Sequence, residues 1–105
     1  MNYLLITDTA ELYRLTRTGD KESYPVSAER TGLQCQIMPA SSDILAVYPG
    51  EPSYQLYEIF TYEMGVIKNG DKLKTSSADY IVKGEPQTVN TPLLKYQRMV
   101  GEKVV

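Results

Sequence analysis

Residues 70–84, GDKLKTSSADYIVKG, constrain this chain more than any other stretch. Two short runs, 72–75 and 79–83, flank Ser76, Ser77 and Ala78. Serine favours turns because its hydroxyl bonds to nearby backbone, whereas Tyr80, Ile81 and Val82 suit a pleated, half-buried surface. Just upstream, Asn69-Gly70 follows Val66-Ile67-Lys68. Asn-Gly tolerates two successive positive φ values and is the strongest short signal for a tight hairpin. The pattern predicts a compact meander over 66–84.

The rest of the chain repeats that texture. Residues 1–10 carry Tyr3, Leu4, Leu5 and Ile6 before the polar Thr7-Asp8-Thr9, and read as an arm that packs on the domain or on a neighbour. A first strand follows over 11–18 and a polar loop over 18–30. In 32–38, Leu33, Cys35 and Ile37 alternate with Gln34 and Gln36, the period of two of a strand with one buried face. Pro39 ends it. Residues 54–62, YQLYEIFTY, are again strand-like, with Glu58 breaking the alternation. A polar loop over 85–92 precedes a last strand over 94–100, placed at an edge by its long basic side chains. Residues 101–105 form a short tail. Five to seven short antiparallel strands, turn signals about every ten residues and no long helix predict an all-β barrel or sandwich, one domain spanning 1–105.

Residues 40–53, ASSDILAVYPGEPS, form a long loop between two strands, and their apolar Ile44, Leu45, Val47 and Tyr48 admit two readings. In one, Ser42 or Asp43 caps a short helical turn that folds back on the core. In the other, the loop is an excursion whose apolar residues meet a partner.

The chemistry-bearing residues are sparse. Histidine is absent and Cys35 is the single cysteine, so His-based triads, Cys-cluster zinc sites and internal disulfides are excluded. Cys35 on the apolar face of its strand reads as a small hydrophobe. No phosphate-binding glycine loop, nucleophile elbow or EF-hand loop is present, and no pair of carboxylates is spaced so as to fix a geometry. The chain reads as non-enzymatic, without metal or cofactor. A net charge of −2 and a pI near 5.1 argue against sequence-independent nucleic-acid binding. Arg14 and Arg17 are the one close arginine pair, and three residues apart on a strand they face opposite sides. No run approaches the roughly 18–20 apolar residues of a spanning helix. The start, MNYLLITD, lacks a basic region before its apolar residues, so the expectation is synthesis in the cytoplasm with no membrane association.

Four short pieces carry a resemblance. They are Asp8-Thr9-Ala10-Glu11-Leu12-Tyr13-Arg14, a strand ending in proline over 33–39 followed by a long loop, Ile67-Lys68-Asn69-Gly70-Asp71-Lys72-Leu73, and Tyr80-Ile81-Val82-Lys83-Gly84. In this order they resemble the small β-barrel head-tail connector proteins of tailed phages, the stopper or head-closure family. The resemblance implies a virion protein at the head-tail junction, assembled into a ring from host cytoplasm. Portal and adaptor proteins would lie above it and tail proteins below, with packaged DNA passing through the channel. By position, 40–53 would be the loop that closes the channel, with Ile44, Leu45, Val47 and Tyr48 as lumen or partner contacts. Tyr3, Leu4, Ile6, Val104 and Val105 would then contact neighbouring subunits by pairing with a sheet edge. Alternatives are a ligand-binding barrel of OB or SH3 type, or another neck protein such as a tail terminator. An oligonucleotide binder should interleave basic residues with its aromatics, whereas Tyr57 and Tyr62 are followed by Glu58 and Glu63.

Overall fold

The alternation at Leu33, Cys35 and Ile37 needs a sheet with one dry face, and the computed structural model supplies it by closing the sheet on itself. It describes residues 8–48 and 55–104. In chain order these form β1 (Asp8–Tyr13), β2 (Thr16–Thr18), β3 (Lys21–Ser23), β4 (Arg30–Pro39), a short helix α1 (Ser42–Val47), β5 (Leu56–Thr61), β6 (Lys72–Lys74), β7 (Asp79–Asn90) and β8 (Lys95–Lys103). Six strands make a closed antiparallel barrel in the order β1-β4-β5-β8-β7-β6, with β1 also pairing to β6. Closure leaves the barrel strands no open sheet flank along their paired lengths. β2 and β3 form a separate hairpin, and all their residues are exposed.

The barrel interior is filled by alternate residues of each strand. Ala10 and Leu12 of β1, Leu33 and Cys35 of β4, Ile59 of β5, Leu73 of β6, Tyr80 and Val82 of β7 and Met99 of β8 form one buried cluster. Gly101 of β8 also points inward, where a Cβ would sit 2.5 Å from the Ile59 Cδ1. Glycine there leaves room for the Ile59 side chain of the paired strand β5.

Several expected boundaries move, each for a physical reason. The expected Asn-Gly hairpin is not one. Val66 and Ile67 lie outside any strand, and Ile67 closes one end of the barrel at 2% exposure. The turn itself exists, with Asp71 N–H donating to the Lys68 carbonyl and Gly70 at φ 89°. The Ser76-Ser77 turn between β6 and β7 forms as expected, held by the Thr75 hydroxyl against Ala78. The polar run 85–92 is mostly strand, because β7 passes Pro86 through a bulge between Lys83 and Gln87 and pairs again with β8. β8 is not an edge strand, since it lies between β5 and β7.

The expected arm, loop and tail also shrink. Asp8, Thr9 and Ala10 of the arm belong to β1, and Gly101, Glu102 and Lys103 of the tail belong to β8. Residues 42–47 of the loop are helical. Tyr3, Leu4, Ile6, Val105 and residues 49–53 lie outside the described residues.

Candidate functional site

Helix α1 lies on the outer wall of the barrel. Two backbone hydrogen bonds lead into it: Ala40 N–H donates to the Leu56 carbonyl (3.1 Å), and Ser41 N–H donates to the Glu58 carboxylate (2.8 Å). Glu58 breaks the alternation of β5 because its position faces outward yet is only 6% exposed beneath this helix entry. Ile44 and Leu56 are buried too, but neither belongs to the cluster inside the barrel. Both are buried on the outer side of the wall. The helix has Ser41 as its N-cap with no side-chain capping bond, so the Ser42 or Asp43 cap considered from sequence is not formed.

At the far end of α1, Tyr48 reaches the β7 bulge. The Lys83 ammonium lies 5.2 Å from the Tyr48 ring centroid and 3.1 Å from a Glu102 carboxylate oxygen. A groove of about 340 Å³ runs between helix and bulge, with Ile44, Val47, Met99 and Val100 as its apolar lining and Asp43 and Arg98 among its charges. Its described lining mixes opposite charges, which does not select an anion or a cation.

The candidate contact residues are therefore not equivalent. Ile44 is buried against the barrel at 9% exposure. Leu45 and Tyr48 are half-buried, and Val47 stands out at 68% exposure. Val104, 49% exposed, donates its N–H to the Asp79 carbonyl of its own chain.

The residues quoted for the resemblance meet in space, and they meet as scaffold. Arg14 holds Asp71 in a two-pronged ion pair, Nε to Oδ1 at 2.9 Å and Nη2 to Oδ2 at 3.1 Å, and its Nη2 also donates to the Val66 carbonyl. Asp71, 1% exposed, accepts the Lys68 N–H as well. Asn69 Oδ1 accepts the Gly84 N–H, and the Tyr24 hydroxyl donates to the Gly70 carbonyl. Arg14 is thus a clamp on the barrel-closing turn, which replaces any reading of it as a basic patch with Arg17. Arg17 pairs with Glu22 across the β2–β3 hairpin. Sequence spacing gives no sign of the clamp, because its two halves are separated by most of the barrel.

Among the described residues the resolved shifts are upward ones of a thiol and of phenols. Burial, with Asp8 and Glu63 nearby, pushes the Cys35 thiol up to about 12, so the thiolate is suppressed at neutral pH. Burial likewise raises the Tyr80 and Tyr24 phenols, with neighbouring acidic groups adding to it. Among the described residues no three His, Cys, Asp or Glu side chains gather as a metal site would require, and no helix is long and apolar enough to cross a membrane.

No family model and no curated protein sequence matches the chain. Solved structures share its fold, two of them over nearly its whole length. One is protein SF1141 from Shigella flexneri 2a, at TM-score 0.70 and 15% identity, covering 98% of this chain and 96% of that one. The other is protein xkdH of the phage-like element PBSX from Bacillus subtilis, at TM-score 0.61 and 13% identity, covering 91% of this chain and 92% of that one. At these identities the likeness is one of fold, and it extends over nearly the whole length of both partners.

Proposed function

We propose that this chain is a structural protein of a phage or phage-derived particle, and within that class a stopper or head-completion component of the head-tail junction. The observation that carries the reading is the barrel shared end to end with a protein of the phage-like element PBSX. The four motif pieces that resemble the head-closure family add to it, since in this chain they build the barrel and its closing turn. In this role the chain works as one copy among several around the channel, between portal and adaptor proteins and the tail. It acts by contact and not by catalysis, needs no cofactor, and resides in the virion after assembly in the host cytoplasm. Val47 and the segment after it, rather than Ile44, supply the contact in the channel or with the next ring.

The test is genetic. Disrupting this gene in the genome that encodes it should yield DNA-filled heads that carry no tails and lose DNA to added nuclease. Complementation with the intact chain restores joined particles, and Val47→Asp restores them poorly although it folds. Normal particles without the gene would sink the reading. Tails lacking their upper end on otherwise closed heads would favour the tail-terminator alternative.

A further inference from the structure

Among the described residues two surfaces present apolar side chains to solvent, and they lie on different sides of the barrel. The first is the outer wall of β5, β8 and β7. Positions facing away from the barrel interior there are Phe60, Tyr96 and Arg98, with Met38 beside them on β4. Phe60 and Tyr96, both half-buried, pack at a tilt with ring centroids 6.0 Å apart, and Met38 is 38% exposed. Arg98 has no ion-pair partner among the described residues. Aromatic, methionine and arginine side chains in one patch are the composition of a protein contact surface.

The second surface is the loop that returns from β3 to β4. It is anchored at both ends, by the Tyr24 hydroxyl on Gly70 and by the Glu29 N–H on the Leu12 carbonyl of β1. Between these anchors it holds Val26 in solvent at 99% exposure, the most exposed large hydrophobe of the described residues. Glu29 and Asp20 on this side form no ion pair among the described residues.

The loop is anchored at its start on Gly70, which bonds Val82 of β7, and at its end on β1. β1 stands three places from β8 in either direction, so the end of the loop at Glu29 and the wall at β8 lie on different sides of the barrel. They also share an axial level. β1 and β5 end, and β4 and β8 begin, at the same end of the barrel, where Phe60, Tyr96 and the return loop all sit. A single subunit cannot bring the two surfaces together. A second copy can, without stepping up or down the axis.

We infer that the return loop of one copy, with Val26 at its tip and Glu29 beside it, docks on the outer wall of the next copy at Phe60, Tyr96 and Arg98. The occupant of the aromatic wall is thus a second copy of this chain. The contact is head-to-tail, with two different patches per subunit, the type of interface that closes into a ring where the rotation between neighbours closes. Apolar contact at Val26 is backed by opposite charge, Glu29 and Asp20 against Arg98. This rests on the reading of the chain as a ring component, and it names which faces of the barrel are consumed by the ring.

Thiol crosslinking of the full chain tests it. Cys35 is buried and stays silent toward the reagent. A Val26→Cys chain mixed with a Tyr96→Cys chain at high concentration should give a crosslinked pair, while neither links to itself. The chain carrying both substitutions should give a ladder. Arg98→Glu should cut the yield about tenfold, and adding Glu29→Arg should restore it. Absence of the mixed pair, or self-linking of either single variant, overturns the inference. The failure is separable from that of the functional reading. Rings seen in particles without the Val26–Tyr96 link would discard these faces alone, whereas a ladder from a chain dispensable for particles would keep the faces and discard the neck role.

Discussion

At the scale of single residues, the side chains that decide this fold act where the chain has least room. Gly101 is the sharpest case, because its missing Cβ is the space that the Ile59 Cδ1 occupies. Gly101→Ala should destabilise the barrel by about 1–3 kcal/mol, the usual cost of overpacking a core. Ile59→Val removes that methyl, so the double variant should recover part of the loss in a urea denaturation cycle; strict additivity would show that the two do not meet. Cys35 gives a second expectation. Its thiol is pushed up to about 12 from an ordinary value of 9.0, so the native state holds this proton more tightly than the unfolded chain does. The associated stability is present in full below pH 9 and is lost as pH climbs toward 12. Wild type should therefore lose stability more steeply over that window than Cys35→Ala, with tyrosine ionisation common to both. Cys35 was legible in sequence, since period-two alternation needs only neighbours. The Arg14–Asp71 clamp was not, because a pair of this kind is created by the fold and leaves no local pattern.

At the scale of elements, local rules succeed where an element is stabilised locally and fail where the barrel overrides them. β4 and the Ser76-Ser77 turn follow directly from alternation and turn chemistry. Asn69-Gly70 carries an equally strong hairpin signal, yet Ile67 gains more by sealing the barrel end than by pairing as a strand. Likewise Pro86 suggested a loop, but a bulge absorbs it and β7 resumes. The loop 40–53 offered two readings, and the described part contains the short helical turn of the first. Ile44 is buried against the wall while Val47 is exposed. Ile44→Ala should cost about 2 kcal/mol of unfolding free energy, as for other buried isoleucines. Val47→Ser should stay within about 0.5 kcal/mol of wild type, as for exposed positions. Equal effects in thermal melts would mean that the helix does not rest on the barrel as described.

At the scale of the whole molecule, the chain separates what keeps it folded from what it offers to others. Folding depends on closure, and closure depends on β1, the strand that pairs with β4 on one side and β6 on the other. Without it two hydrogen-bonding edges and the inner faces of five strands open to water. The β2–β3 hairpin contributes nothing comparable, since every residue in both strands is exposed and its ladder reaches no barrel strand. Replacing residues 16–23 by two glycines should therefore leave a cooperative unfolding transition within about 1 kcal/mol of wild type. Shortening a surface connection changes closure entropy only slowly with length, and the Glu29 N–H bond to Leu12 that guides the chain into β4 is retained. Removing residues 1–13 should abolish cooperative unfolding altogether, because five open strands cannot bury Leu33, Leu73 and Val82 together. Urea titrations followed by tyrosine fluorescence distinguish the two variants. If the hairpin deletion unfolds the barrel, the division between a closed scaffold and the projections it presents is wrong; if the deletion folds but no longer joins particles, the hairpin acts between subunits and not within one.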